Sequence, residues 1–294
     1  MLTHSRFSHI GSYAADAVTV LTMHLEAGSE APAATGQRDE YVLTKDWPGE
    51  HERLCLLEET VDALSITALR AAGLSPGSRC LEIGAGSGSI ASWLAREAGD
   101  PTLVTATDID TRLLGPLADA GIQVLQHNVV TDGFPAGSFD IIHIRAVLEH
   151  ITHREHVLDR ISSWLAPGGC LVVVDCASFP LTSSHNLIFR TAIEAYIDMV
   201  ALTGTDYEWA RSFPEPLQRQ GFRDIGVTAM VPTVQGGTPF AKFWSLTLEA
   251  VRRRLLNAKL IGNEEIDRAQ HLLADPEFFD LGPGFLAAWG HRPH

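Results

Sequence analysis

Between residues 79 and 176, short apolar runs alternate with longer stretches in which apolar positions recur every three or four residues. Cys80, Leu81 and Ile83 read as a strand over 79–83, followed by three glycines at alternate positions, Gly84, Gly86 and Gly88. Ile90, Trp93 and Leu94 then share one face of a helix reaching to about residue 98. The same alternation predicts strands over 102–108, 123–127, 140–144 and 170–175. One helix falls around 112–120, and another carries Val157, Leu158, Ile161, Trp164 and Leu165 at helical spacing. Thr152, three residues before Glu155, has the form of a capping box for that helix, and Pro167-Gly168-Gly169 the form of its stop. The run at 170–175 is almost wholly apolar, as in a strand buried on both faces. Together these elements predict an α/β fold, a doubly wound and mostly parallel sheet.

The flanks follow other patterns. Residues 1–40 form an extension rich in Ser, Ala and Thr, with one weak apolar patch at 17–25 and a flexible joint after it. The segment 41–77 reads as a helical lid: Pro48 suits a first helical residue, Leu54, Leu57, Val61, Leu64, Ala68 and Leu69 keep helical spacing, and Gly73 fits the stop. The core occupies 78–182. After it the rhythm breaks into helices over 187–202, 239–260 and 264–274, with strands over 221–231 and 285–289. Helices inserted between late strands belong over the strands' C-terminal edge, so 183–294 is expected to supply the late core strands and a helical substrate cap.

Composition narrows the function classes. The 294 residues include 45% hydrophobic ones, enough for a sizeable core, and carry a formal net charge of −14. No basic stripe is present, and the run at 252–254 reads as a solvated helix face, so no nucleic-acid partner is expected. No run approaches the roughly 18 apolar residues of a membrane span. The start of the chain lacks the blocks of a signal peptide, which makes the cytoplasm the expected location. Cys55, Cys80, Cys170 and Cys176 show neither zinc-site spacing nor a disulfide pattern.

Three motifs carry the chemistry. They are Glu82-x-Gly84-x-Gly86-x-Gly88, the acid Asp108 closing the second strand twenty residues after Gly88, and Leu165-x-Pro167-Gly168-Gly169 before the fifth strand. In this order and spacing they resemble the class I S-adenosylmethionine-dependent methyltransferases. The stretches KDWPGEHERL and FLAAWGHRP are similar to an actinobacterial subgroup acting on small molecules, many of them in secondary metabolism. The resemblance implies a seven-stranded Rossmann-like methyltransferase fold with helical cap insertions, and S-adenosylmethionine as cofactor. Gly84, Ala85 and Gly86 would let the backbone pass beside the cofactor's amino-acid portion, with Gly88 completing the turn. Glu82 would accept from its ammonium group, and Asp108, with Ile109 beside it, from the ribose hydroxyls. Asn128 and Val129 would meet the adenine, although Asn128 is also a common turn former. Arg145 would lie under the sulfonium end or else form a surface ion pair.

For catalysis, His150 stands where a histidine projects toward the methyl group and takes a proton from a hydroxyl or amine, or else supports its loop. Positioning of donor and acceptor supplies much of the rate in an in-line displacement, so a base is optional. His150, His153 and His156 lack metal-ligand spacing, and no metal is expected. Tyr41, Trp47, His51 and Arg53 are lid candidates. The aromatics Phe189, Tyr196, Trp209, Phe240, Phe243 and Trp244 suit an apolar or aromatic small-molecule acceptor, with half or more of them in the core. A homodimer is a candidate assembly. Two alternatives stand beside methyl transfer. One is a nicotinamide-dependent oxidoreductase, whose G-x-G-x-x-G pattern would need Gly or Ala where Ser89 stands. The other is a cofactor-binding relative that transfers no methyl group, such as a pericyclase.

Overall fold

The computed structural model describes residues 43 and 46–294, so the extension 1–40, its patch at 17–25 and Tyr41 lie outside the described residues. Helix α1 (Glu50–Ala71) is one continuous helix. It begins two residues after Pro48, which lies in the preceding turn. Glu50 and Glu52 in its first turn and Arg70 in its last complement the helix dipole, and it stops where Gly73 takes a φ of +81°. The core then runs β1 (Cys80–Ile83), α2 (Ser89–Ala98), β2 (Val104–Asp108), α3 (Gly115–Asp119), β3 (Gln123–Gln126), β4 (Phe139–Arg145), α4 (Arg154–Trp164) and β5 (Leu165–Ala177). After these come α5 (Leu187–Ala201), α6 (Glu215–Arg219), β6 (Arg223–Met230), β7 (Thr233–Gln235), α7 (Pro239–Asn257), α8 (Asn263–Ala274), β8 (Phe279–Leu281) and β9 (Gly284–His291).

Seven strands form one sheet in the order β3-β2-β1-β4-β5-β9-β6, and β7 pairs with β8. β1 to β5 pair in parallel; β9 runs antiparallel to β5 and β6. Every residue of β1 and β2 is buried, as the central position requires. One face of the sheet packs against α1, α2, α5, α7 and α8 through Cys80, Val172, Val174, Leu64, Phe189 and Leu248 among others. The opposite face sends Leu81, Ile142, Ile144, Leu171 and Val173 against Val157, Leu158, Ile161 and Trp164 of α4. The buried alternation of β5 thus feeds two separate cores.

Two local expectations are corrected. α4 starts at Arg154; His153, in the N-cap position, makes no side-chain capping bond, and Glu155 pairs with Arg219 at 2.7 Å. A 3-10 turn over Leu148–His150 precedes it, and Arg154 Nε donates to the Leu148 and Ile151 carbonyls. The Pro167-Gly168-Gly169 segment does not stop α4, which ends at Trp164. Leu165 already pairs with Phe139 and Cys170 with Ile141, so residues 166–169 form a bulge inside β5. The helix expected around 112–120 is split, because Pro116 restarts it one turn after a 3-10 segment at Thr111–Leu113.

Candidate active site

The strand order reverses between β1 and β4, and the C-terminal ends of β1, β2 and β4 open there into a cavity of about 670 Å³. Its wall includes Gly84, Ala85 and Gly86, with Leu54, Leu57 and Glu58 of α1 among the residues facing them. Gly84 has a φ of +73°, and a Cβ there would lie 2.3 Å from Val147 Cγ2, so only glycine closes this turn without strain. Gly88, with a φ of +100°, does not line the cavity; it caps α2 and leaves space for the Leu117 side chain.

The amides of the loop are all engaged within the protein. Gly84 N–H and Ala85 N–H both donate to the Thr107 carbonyl at 2.9 Å, and Gly88 N–H donates to Ala85 at 2.8 Å. Gly86 N–H donates to Asp108 Oδ2 at 3.0 Å and Ser87 N–H to Glu58 Oε1 at 3.1 Å. A loop whose donors are spent is poorly suited to a pyrophosphate, which is held by free N–H groups at a helix N-terminus. Asp108, 9% exposed, takes Gly86 N–H on one oxygen and Asp110 N–H at 2.9 Å on the other. A carboxylate at this strand end is of the acceptor type that ligand hydroxyls require. Ile109, beside it on the wall, is 53% exposed.

The remaining predicted residues divide. Asn128, Val129, Arg145 and His150 line the same cavity; Glu82 does not. The Glu82 carboxylate is buried beneath the sheet end and lies 2.7 Å from His143 Nδ1. The side-chain oxygen of Asn128 accepts from Val130 N–H at 2.9 Å, an Asx turn that engages it locally. Arg145 reaches back to α1, with Nη1 2.7 Å from Asp62 Oδ1. Of the lid candidates within the described residues, Arg53 lines the cavity, forked onto Glu50 at 2.8 Å twice and lying over the Phe243 ring. His51 is exposed, and Trp47 packs against Gly49. Among the cap aromatics, Tyr196, Phe243 and Trp244 reach the cavity, while Phe189, Trp209 and Phe240 are core.

The structure also brings to the cavity residues that the pattern of the chain did not single out, Glu149, Tyr207 and His127. Glu149 is 3% exposed; its Oε2 accepts from Cys176 N–H at 2.7 Å and its Oε1 lies 3.4 Å from His150 Nε2. Burial pushes the Glu149 carboxyl up to about 7, opposed by the Cys176 contacts and Arg154. Burial, with Arg53 and Arg154 nearby, draws His150 down to about 4, so its ring is uncharged at neutral pH; its Nδ1 lies 3.1 Å from Thr205 Oγ1. Tyr196 and Tyr207 share a hydrogen bond of 2.9 Å between their hydroxyls on the same wall. His127, stacked on Phe134, also lines the cavity, with neither ring nitrogen bonded. No local sequence signal marks Glu149, Tyr207 or His127, because their partners come from distant elements.

Comparison with known proteins identifies the family and the fold. Residues 50–225 match the model of a methyltransferase domain. The chain is 44% identical over 98 residues to methyltransferase str3 of Strobilurus tenacellus, covering 33% of this chain and 35% of that one. It is 27% identical over 150 residues to the ubiquinone/menaquinone biosynthesis C-methyltransferase UbiE of Nitrosospira multiformis, covering 48% and 62%. The chain thus spans between about a third and three-fifths of the length of these relatives. Among solved structures, Haemonchus contortus phosphoethanolamine N-methyltransferase 2 in complex with S-adenosyl-L-methionine shares the fold. That match has a TM-score of 0.53 at 19% identity, over 85% of this chain and 59% of the other. The YcgJ protein of Bacillus subtilis aligns with a TM-score of 0.51 at 14% identity, over 79% and 99%. With the family model matching more than half of its length, the protein belongs to the methyltransferase domain family.

Proposed function

We propose that this chain transfers a methyl group from S-adenosylmethionine to an oxygen, nitrogen or carbon nucleophile of a small apolar or aromatic molecule, in secondary metabolism. The observation that carries the reading is the glycine loop with every amide from Gly84 to Gly88 engaged inside the protein, at the foot of the cavity. That loop suits a ligand portion that needs close approach to the backbone, and it disfavours a dinucleotide. The cofactor supplies an electrophilic methyl group on a sulfonium. The chain's own residues bind and orient: Gly84, Ala85 and Gly86 beside the methionine portion, Asp108 with Ile109 at the ribose, Asn128 and Val129 at the adenine. Arg145 backs the sulfonium end, and Glu82 and Gly88 hold the loop from behind.

On the acceptor side, residues 183–294 contribute Tyr196, Tyr207, Phe243, Trp244 and Phe285, a mainly aromatic surface. His150, uncharged at neutral pH, has its ring nitrogens beside Thr205 and Glu149, so it would orient Glu149, the stronger proton acceptor of the two, for a protic acceptor group. The relative named for quinone biosynthesis is a C-methyltransferase, which keeps carbon among the acceptor atoms.

A thermal-shift titration tests the reading. S-adenosylhomocysteine should stabilise the protein by RT ln(1 + [L]/Kd), whereas NADH should not. No shift at millimolar S-adenosylhomocysteine would sink the proposal. Release of labelled methyl to no acceptor in a broad panel of phenols, amines and enols would favour the non-transferring alternative.

A further inference from the structure

Resting on the cofactor reading above, we propose that Glu58 of α1 is the carboxylate that receives the amino group of the cofactor's methionine portion, the task that the motif assigns to Glu82. The two glutamates occupy opposite situations. Glu82 is engaged by His143 and does not line the cavity. Glu58 lines it at the glycine loop: its Oε1 accepts from Ser87 N–H at 3.1 Å, its Oε2 accepts from the Ser87 hydroxyl, and a Cβ on Gly86 would stand 3.4 Å from Oε1. That is where the close backbone approach permitted by Gly84 and Gly86 would bring an α-amino group.

Glu58 feels the charge of Arg145 only through space, without an ion pair. It is 8% exposed, yet no cationic side chain among the described residues forms an ion pair with it. The nearby cations are otherwise committed, Arg145 to Asp62 at 2.7 Å and Arg53 to Glu50 at 2.8 Å. A buried carboxylate without an ion pair is costly to keep ionised: burial raises the pKa of Glu58, opposed by its bonds to Ser87 and by the charge of Arg145. An ammonium group arriving at the loop supplies the missing charge and forms a charge-assisted bond. Glu58 also ties α1 to the start of α2, so filling this site would fasten the lid helix over the cofactor.

The test compares S-adenosylhomocysteine with its analogue lacking the amino group, by calorimetry on the full chain and on Glu58→Gln and Ser87→Ala. The wild type should bind S-adenosylhomocysteine about ten- to hundred-fold more tightly than the analogue. Glu58→Gln should close that gap while binding the analogue as the wild type does. Ser87→Ala, which loosens the latch without removing the charge, should keep the gap. If Glu58→Gln weakens both ligands by the same factor, Glu58 merely holds the loop and the proposal fails. It fails also if the wild type does not distinguish the two ligands, a result readable even if the variant does not fold. Failure of the wild type to bind either ligand would overturn the cofactor reading itself.

Discussion

Replacing Glu149 with glutamine removes a carboxyl that the fold buries to 3% exposure, while leaving an amide oxygen that can still accept from Cys176 N–H. In the unfolded chain this carboxyl titrates near its ordinary 4.5; burial raises it to about 7 in the folded protein. Folding therefore takes up a proton between those two values. The stability linked to it is fully present below about 4.5 and is lost as the pH rises through about 7. At about 1.4 kcal/mol for each tenfold change, the loss by pH 8 is roughly 3 kcal/mol. Asp175 is raised by burial and by the charge of Glu149, and works in the same direction.

Glu149→Gln has no such proton to take up. It should match the wild type near pH 4.5 and exceed it by roughly 2–3 kcal/mol at pH 8. Urea unfolding followed by tryptophan fluorescence at both pH values reads this as a midpoint shift at constant slope. A variant that tracks the wild type at both values, or is weaker at pH 8, would refute the reasoning. Either result would mean that the folded protein compensates an ionised Glu149, and the residue would lose its standing as a proton acceptor beside His150.

Two further outcomes are expected. Gly84→Ala forces a Cβ to within 2.3 Å of Val147 Cγ2 at a φ of +73°; it should cost about 1–3 kcal/mol in the same urea assay, and an unchanged midpoint would contradict the strain argument. Asp108→Ala strips the acceptors from Gly86 N–H and Asp110 N–H, and should weaken S-adenosylhomocysteine binding by at least about tenfold in calorimetry. Unaltered affinity would remove Asp108 from the cofactor site.

The glycine loop and the acid beside it were legible because their determinants are local. A strand, a glycine turn and a helix are encoded within 80–98, and Asp108 follows from the length of one strand–helix–strand unit. Where distant partners decide, the reading failed or stayed open. Glu155 has the spacing to close a capping box, but Arg219 of a distant helix pairs with it. Glu82 precedes the glycines as an ammonium acceptor should, but a histidine 61 residues away engages it. Helical period assigns each cap aromatic to an inner face, but it does not tell which inner face meets α1 and which meets the cavity. Phe240 and Phe243, one turn apart and stacked at 5.4 Å, divide on that point.

The charges around the cavity divide the site in a way that bears on both halves of the reaction. Glu50, Asp62 and Asp110 are each matched by an arginine, Arg53, Arg145 and Arg112 respectively. Among the described residues Glu58 forms no ion pair and is bonded to Ser87 at the glycine loop, and Glu149 lies beside His150 at the aromatic end. A cationic methyl donor is best held where a carboxylate stays ionised once the ligand has arrived. An uncharged acceptor is best received where a carboxyl can give up or take a proton near neutrality. Glu58 gains its missing cation from the ligand, whereas Glu149, raised to about 7 by burial, gains nothing from a neutral one. The same physical cost, desolvation of a carboxylate, thus has opposite consequences at the two ends: one site selects charge, and the other holds a proton acceptor in reserve.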